Sequence, residues 1–327
     1  MKHLLLLVIA VCLLLPVQAQ NNPASQLSIN QQLPSELLKS RSVVIVDVAG
    51  RQESWEKVAA ALHPGLRKAG IDAVAYYELG NVLSGPDATT GFLKDFQQRE
   101  IQNIILVNKA GNITLTVAPI GKKALVDAGT AAWQTKNATP ADAAQALYLA
   151  ANEAKLHLSN FLIPDFPELF YTTDNVSIKK RFFSYPLDLK FDKLAVPRYA
   201  FLTSSGSDSL SALKNIMQLY PYDWGVTEPG TTEEVLRMKQ GYPYVLLYLH
   251  STQDNLRRFL TYAPNEESPL ELQAGPETGQ PLYKFYIRHI PSGEVYAGSS
   301  WDAAADWQTS LNNFLQGLRK EQASNIK

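Results

Sequence analysis

Ser42-Val43-Val44-Ile45-Val46-Asp47-Val48 leads, after a short break at residues 50–54, into Ser54-Trp55-Glu56-Lys57-Val58-Ala59-Ala60-Ala61-Leu62. The first run is β-branched and suits a buried strand. In the second, Val58, Ala61, Leu62 and Leu66 recur at helical spacing and give one apolar face. Ser54 is placed to cap that helix, which runs through Lys68 before Gly70 stops it. Residues 72–79 then return to strand character. Strand, amphipathic helix and strand in that order define an α/β unit.

Working outward, Thr89 or Thr90 is read as the cap of a second helix through Arg99. Residues 102–108 and 112–117 read as two strands around Lys109-Ala110-Gly111. Ile113, Leu115 and Val117 alternate with Thr114 and Thr116, which predicts one buried and one wet face. Trp133 then precedes a helix over residues 141–158.

The second half repeats this order. Residues 199–203 read as a strand, 208–219 as a helix, 223–227 as a strand and 231–239 as a helix. Residues 243–249 are a third strand, expected to pair with 256–262. Residues 282–290 and 294–297 flank Pro291-Ser292-Gly293 as a hairpin, and Trp301 precedes a last helix over residues 303–320. The expected fold class is therefore α/β with mixed sheets, in two similar domains. The repeated strand-helix-strand-helix-strands-helix unit points to an internal duplication. The expected division is an export signal (residues 1–19), a polar tether (20–40), a first domain (41–160), a connector (161–197), a second domain (198–320) and a tail (321–327). The connector carries Phe161, Phe166, Phe170, Tyr171, Phe182, Phe183 and Tyr185, and is expected to pack across the interface.

At the amino terminus, Lys2 and His3 precede an unbroken run of twelve apolar residues, Leu4 to Leu15. A bilayer-spanning helix needs about 20 such residues, so the run is too short to be a stable anchor. Pro16 ends it, and Val17-Gln18-Ala19 supplies small residues for cleavage before Gln20. Export to the bacterial periplasm or beyond, with no integral membrane segment left after cleavage, is the expectation. The single cysteine, Cys12, lies within that segment. A mature chain therefore has no disulfide, thiolate nucleophile, Fe–S cluster or cysteine zinc site. The formal net charge of −1 gives no broad field for nucleic acid or an anionic membrane. About 300 mature residues exceed what one core usually fills. In element order and export the chain resembles the small α/β units of bacterial envelope accessory proteins, such as the amino-terminal domain of the TolB translocation proteins. The resemblance implies a fold and an envelope setting, and carries over no functional residues.

Several stretches carry candidate chemistry. Ser204-Ser205-Gly206-Ser207-Asp208-Ser209 lies between an expected strand and helix, where backbone N–H groups of small residues can face an anion. Arg51, in the equivalent loop of the first half, could add a cation. The same residue types are ordinary caps and turns, and neither loop ends in the Gly-Lys-Ser/Thr of a P-loop. Asp302 and Asp306 are spaced for one helical face, with Ser300 a natural cap, but they also suit a helix start. His63, His157, His250 and His289 form no metal-ligand spacing. His250 stands beside Ser251 and Asp254, but without a nucleophile elbow. Tyr242, Tyr244 and Tyr248 share strand parity, and form either a binding face or a core covered by a helix. Catalytic residues are not identifiable, and no metal or cofactor is expected. The leading expectation is an exported, non-catalytic envelope protein that binds a protein or glycan partner. The alternative is a hydrolase-like enzyme that binds a small molecule, phosphate or nucleotide at the 204–209 loop.

Overall fold

The computed structural model describes residues 22–49, 53–173, 175–176, 178, 180–182, 186–199, 201, 207–228, 230–261 and 280–324. Its first sheet is built from β1 (Ser28–Ile29), β2 (Arg41–Val48), β3 (Asp72–Glu78), β4 (Ile101–Ala110), β5 (Asn112–Pro119) and β6 (Ala131–Asn137). The second holds β7 (Arg181–Phe182), β8 (Leu194–Pro197), β9 (Trp224–Thr227), β10 (Tyr244–Ser251), β11 (Leu282–His289) and β12 (Val295–Tyr296). The spatial orders are β1-β6-β5-β4-β2-β3 and β7-β12-β11-β10-β8-β9. Position by position the two sheets agree, and so do the directions. The first pair is parallel, the next two are antiparallel and the last two are parallel in both. The expectation of two similar α/β units with mixed sheets is met.

The helices are α1 (Trp55–Lys68), α2 (Leu79–Val82), α3 (Pro86–Gln98), α4 (Pro140–Glu153), α5 (Ser207–Met217), α6 (Glu233–Met238), α7 (Gln253–Phe259) and α8 (Trp307–Ser324). Ser54 caps α1 by accepting from the Lys57 N–H. At its other end Gly70 takes φ 80°, and the N–H groups of Gly70 and Ile71 close back on Arg67 and Leu66. That left-handed glycine stop satisfies carbonyls the helix leaves open.

Packing follows strand parity. Val44 and Val46 of β2 face an outer core with Val58, Leu62 and Leu66 of α1 and Ala143 and Leu147 of α4. In the second sheet the outer core joins Leu194, Val196, Tyr244 and Leu246 to Leu213 and Met217 of α5 and Leu311, Phe314 and Leu318 of α8. The inner faces share a single core. It holds Val43, Ile45, Ile104 and Leu106 of the first sheet and Val245, Leu247, Leu249 and Tyr286 of the second, with Phe92 and Phe96 of α3 and Leu256 and Phe259 of α7 among them. The halves touch closely. The His250 N–H donates to the Ser84 carbonyl at 2.6 Å, and a Cβ on Gly85 would collide with the Tyr248 carbonyl oxygen.

Several local expectations are corrected. The expected tether over residues 20–40 is not irregular throughout: Asn22 caps a 3-10 turn at Pro23–Gln26, and β1 pairs in parallel with β6. The strand placed at residues 199–203 is β8, several residues earlier, ending at Pro197, which has no N–H to extend the ladder. The segment expected to pair with β10 is α7. The partner of β10 is β11, along all of its length. Helix α3 starts at Pro86, a residue preorganised for the first turn. Thr89 and Thr90 lie inside it and donate to the Val82 and Pro86 carbonyls. Trp133 belongs to β6 rather than to a turn. Helix α8 begins at Trp307, not at residue 303, and Asp306 takes the capping role expected of Ser300, accepting from the Thr309 N–H at 2.8 Å.

Part of the connector does bind the sheets. The Tyr76 N–H donates to Glu168 and the Phe170 N–H to Tyr76, covering the edge of β3, while Phe170 stacks on Tyr77 at 5.7 Å. Phe182, in β7, extends the second sheet beside β12. Phe183 and Tyr185 lie outside the described residues. Phe161 and Phe166 depart from expectation: they stand in solvent at 79% and 81% exposure.

Candidate functional site

The serine-rich loop follows β8. Ser204, Ser205 and Gly206 fall outside the described residues, as does Arg51 after β2. Ser207 and Asp208 open α5, and Ser209 in its first turn is buried. The strands that precede the two loops in the chain, β2 and β8, are parallel to their neighbours, and open α/β sheets take ligands at the carboxyl ends of such strands.

The Ser/His/Asp set beside His250 does not assemble. Adjacent strand residues point to opposite faces. Ser251 points inward and donates to Asn81 Oδ1 at 3.0 Å, whereas His250 stacks on Tyr283 with ring centroids 4.1 Å apart. Burial lowers the His250 pKa to about 4, so the imidazole is neutral at physiological pH. His63 is held from both sides. The Pro164 carbonyl can only accept, so Nε2 carries the proton toward it at 3.0 Å, and Nδ1 accepts from the Tyr76 hydroxyl at 2.7 Å. Both bonds hold the connector against α1 and β3, a structural role.

Asp302 and Asp306 do not share a helical face. Asp302 is buried before α8, with Oδ1 2.7 Å from Lys284 Nζ. That ammonium also donates to the Ala297 and Phe285 carbonyls at 2.6 and 2.9 Å. Burial lifts the Asp302 carboxyl to about 6 against the pull of Lys284, and lowers the Lys284 pKa. Tyr244 and Tyr248 belong to the core that α5 and α8 cover, whereas Tyr242, before β10, packs against the shared inner core.

A cleft of about 380 Å³ opens between α3 and the inner face of the second sheet, near Asp87, Thr90, Lys94, Lys180, Tyr286 and Arg288. Asp87 Oδ2 accepts from the Tyr286 hydroxyl at 2.9 Å and from Arg288 at 2.7 Å, and Arg288 also pairs with Glu233. This network ties α3 and α6 to β11, and its members hold one another rather than forming a nucleophile and its base. Sequence reasoning missed it, because nothing local links Asp87 to residues two hundred positions on. The connector contributes a different feature. Phe161, Leu162 and Phe166 are exposed at 79%, 94% and 81%, with Leu158 beside them at 42%.

Among the described residues, no group of three or more His, Cys, Asp or Glu side chains is arranged to hold a metal ion. None of the helices among them is long and apolar enough to cross a membrane. Compared with protein-family models, with curated proteins and with solved structures, the chain matches none.

Proposed function

We propose that the protein is exported, processed after Ala19, and acts in the bacterial cell envelope as a non-catalytic binding protein. Of a protein or a glycan partner, the exposed strip on the connector favours a protein. Three large apolar side chains within six residues, each at least 79% exposed, carry this reading. Large apolar side chains this exposed and this close in sequence are material for the apolar surface that marks interaction sites, and each contributes roughly 1.5–3 kcal/mol when fully covered. We also infer that the common strand order reflects duplication of one unit, with one copy spanning β1 to α4 and the other β7 to α8.

A photo-crosslinking residue in place of Leu162, introduced in cells, tests the binding. One discrete protein adduct is expected in the envelope fraction, lost when Phe161 and Phe166 are changed to Ser, with Tm unchanged. No adduct together with a fall in Tm would make the strip structural. Amino-terminal sequencing of the same material should begin at Gln20. The catalytic alternative is supported by the order in the chain: the 204–209 segment follows β8, a parallel strand, and runs into α5. Turnover of phosphate or carboxylate esters that Gly206→Val abolishes would favour it over binding alone.

A further inference from the structure

The first sheet carries a second cavity, of about 250 Å³, on its inner face. The sheet register explains its chemistry. One row across the strands reads Val43, Ile104, Ala118, all apolar and all in the shared core. The row two residues on reads Ile45, Leu106, Thr116, Gln134. The next reads Asp47, Asn108, Thr114, Lys136. Polarity therefore rises stepwise toward the carboxyl ends of β2 and β4. These two strands are neighbours in space, yet the chain leaves β2 for β3 on one side before returning to β4 on the other. Such a reversal point is where open α/β sheets take ligands.

Thr114 and Thr116 were expected on a wet face. Thr116 is instead 2% exposed, and both line this cavity. Five neighbouring inward positions hold a carboxylate, two carboxamides and two hydroxyls, where a sheet of this kind ordinarily places Val, Ile and Leu. Thr116 is buried and the other four are half-buried, so the bonds that the protein itself provides decide how much of the set is left to a ligand. The protein supplies some: Asn108 Nδ2 donates to Asp47 Oδ2 at 2.9 Å, and Gln134 Nε2 donates to Thr116 Oγ1 at 2.9 Å. A carboxylate accepts at up to four positions and a carboxamide carbonyl at two, so these bonds fill only part of the set.

We infer that this cavity binds a small, neutral, hydroxyl-rich ligand of the size of one sugar ring. Hydroxyls both donate and accept, matching Asp47, Asn108 and Gln134 as acceptors and Thr114 as either. A charge-assisted bond to Asp47 is the strongest on offer. Ile45, Leu79 and Leu106 give the cavity an apolar side for the C–H face of a ring. Asp47 is the one charged side chain among the lining residues, and the Asn108 carboxamide already donates to it, which offsets its pull on a cation; Lys136, at the end of the same row, is exposed and outside the lining. The cavity lies below the usual 300–1,000 Å³ of drug-sized sites, which limits the ligand to about one ring.

The test is thermal unfolding and calorimetry of the mature chain with glucose, galactose and N-acetylglucosamine, against ethanolamine and inorganic phosphate. At least one sugar should raise Tm with a saturable dependence on concentration, and Asp47→Asn should weaken that binding tenfold or more while leaving the ligand-free Tm close to the parent's. If Asp47→Asn fails to fold, Leu79→Trp decides: it adds bulk at the cavity without touching the polar row, and should abolish the response. No saturable response to any of the sugars, a larger response to ethanolamine or phosphate, or sugar binding that survives Leu79→Trp would each overturn the assignment.

Discussion

On the inner face of the second sheet, Lys284, Tyr286 and Arg288 occupy successive inward positions of β11, and each is engaged by the protein itself: Lys284 by Asp302, Tyr286 and Arg288 by Asp87. On the inner face of the first sheet, Asp47, Asn108, Thr114, Thr116 and Gln134 border a cavity, joined to one another by two hydrogen bonds. Strand order and direction are the same in both sheets, so the difference does not come from topology. It comes from what lies against each face. Asp302, in the segment before α8, reaches the polar groups of β11, as does Asp87 of α3. Over the carboxyl end of β2 and β4 the neighbours among the described residues are short pieces, Leu79 of α2 and the turn at Asn22 and Ala24. The same fold thus ties up the polar side chains of one inner face in ion pairs, beside a cleft of about 380 Å³, and leaves those of the other lining a cavity with fewer partners.

The largest expected effect is at the ion-paired face. Lys284→Ala strands the Asp302 carboxylate in the core, and should cost about 3–5 kcal/mol in urea unfolding. Replacing both partners with apolar residues, Lys284→Met with Asp302→Leu, should recover most of that loss, since the desolvation of both charges disappears together. A single-variant loss below about 1 kcal/mol, the range of solvated surface pairs, would mean that the pair is not buried in solution.

Next in size is a pH effect at the outer edge of the second sheet. Burial lowers the His250 pKa from 6.5 to about 4. Below 6.5 the unfolded chain takes up a proton that the folded chain refuses, so stability is complete above that pH and drains away as pH falls toward 4. The loss at the acid end is on the order of 3 kcal/mol. His250→Phe keeps a ring against Tyr283 and should flatten this limb of the stability–pH curve. An unchanged acid limb would show that other groups set it.

Much of the frame is legible in sequence. Ser54, Gly70 and the β-branched run of β2 mark their elements because caps, stops and buried strands act through neighbours in the chain. What resists reading depends on distant partners. The strand β1 has two residues and exists only because β6 lies beside it. Helix α7 looks like a return strand, since Leu256 and Phe259 show no more periodicity in seven residues than a strand would. Asp302 resembles a helix-start carboxylate until Lys284 is placed opposite. The alternation of Thr114 and Thr116 with Ile113, Leu115 and Val117 is correctly two-sided, but period alone cannot tell a solvent face from a cavity inside a two-sided core. The polar rows emerge only when β2, β4, β5 and β6 are in register, which no local pattern specifies.

The smallest expected effect separates the two faces most directly: urea unfolding of Asp47→Leu beside Lys284→Met. Polar groups kept for a ligand hold a protein below its stability optimum, so Asp47→Leu should leave stability unchanged or raise it by about 0.5–2 kcal/mol, while Lys284→Met falls by about 3–5 kcal/mol. A comparable loss in Asp47→Leu would contradict this, making the first inner face as structural as the second.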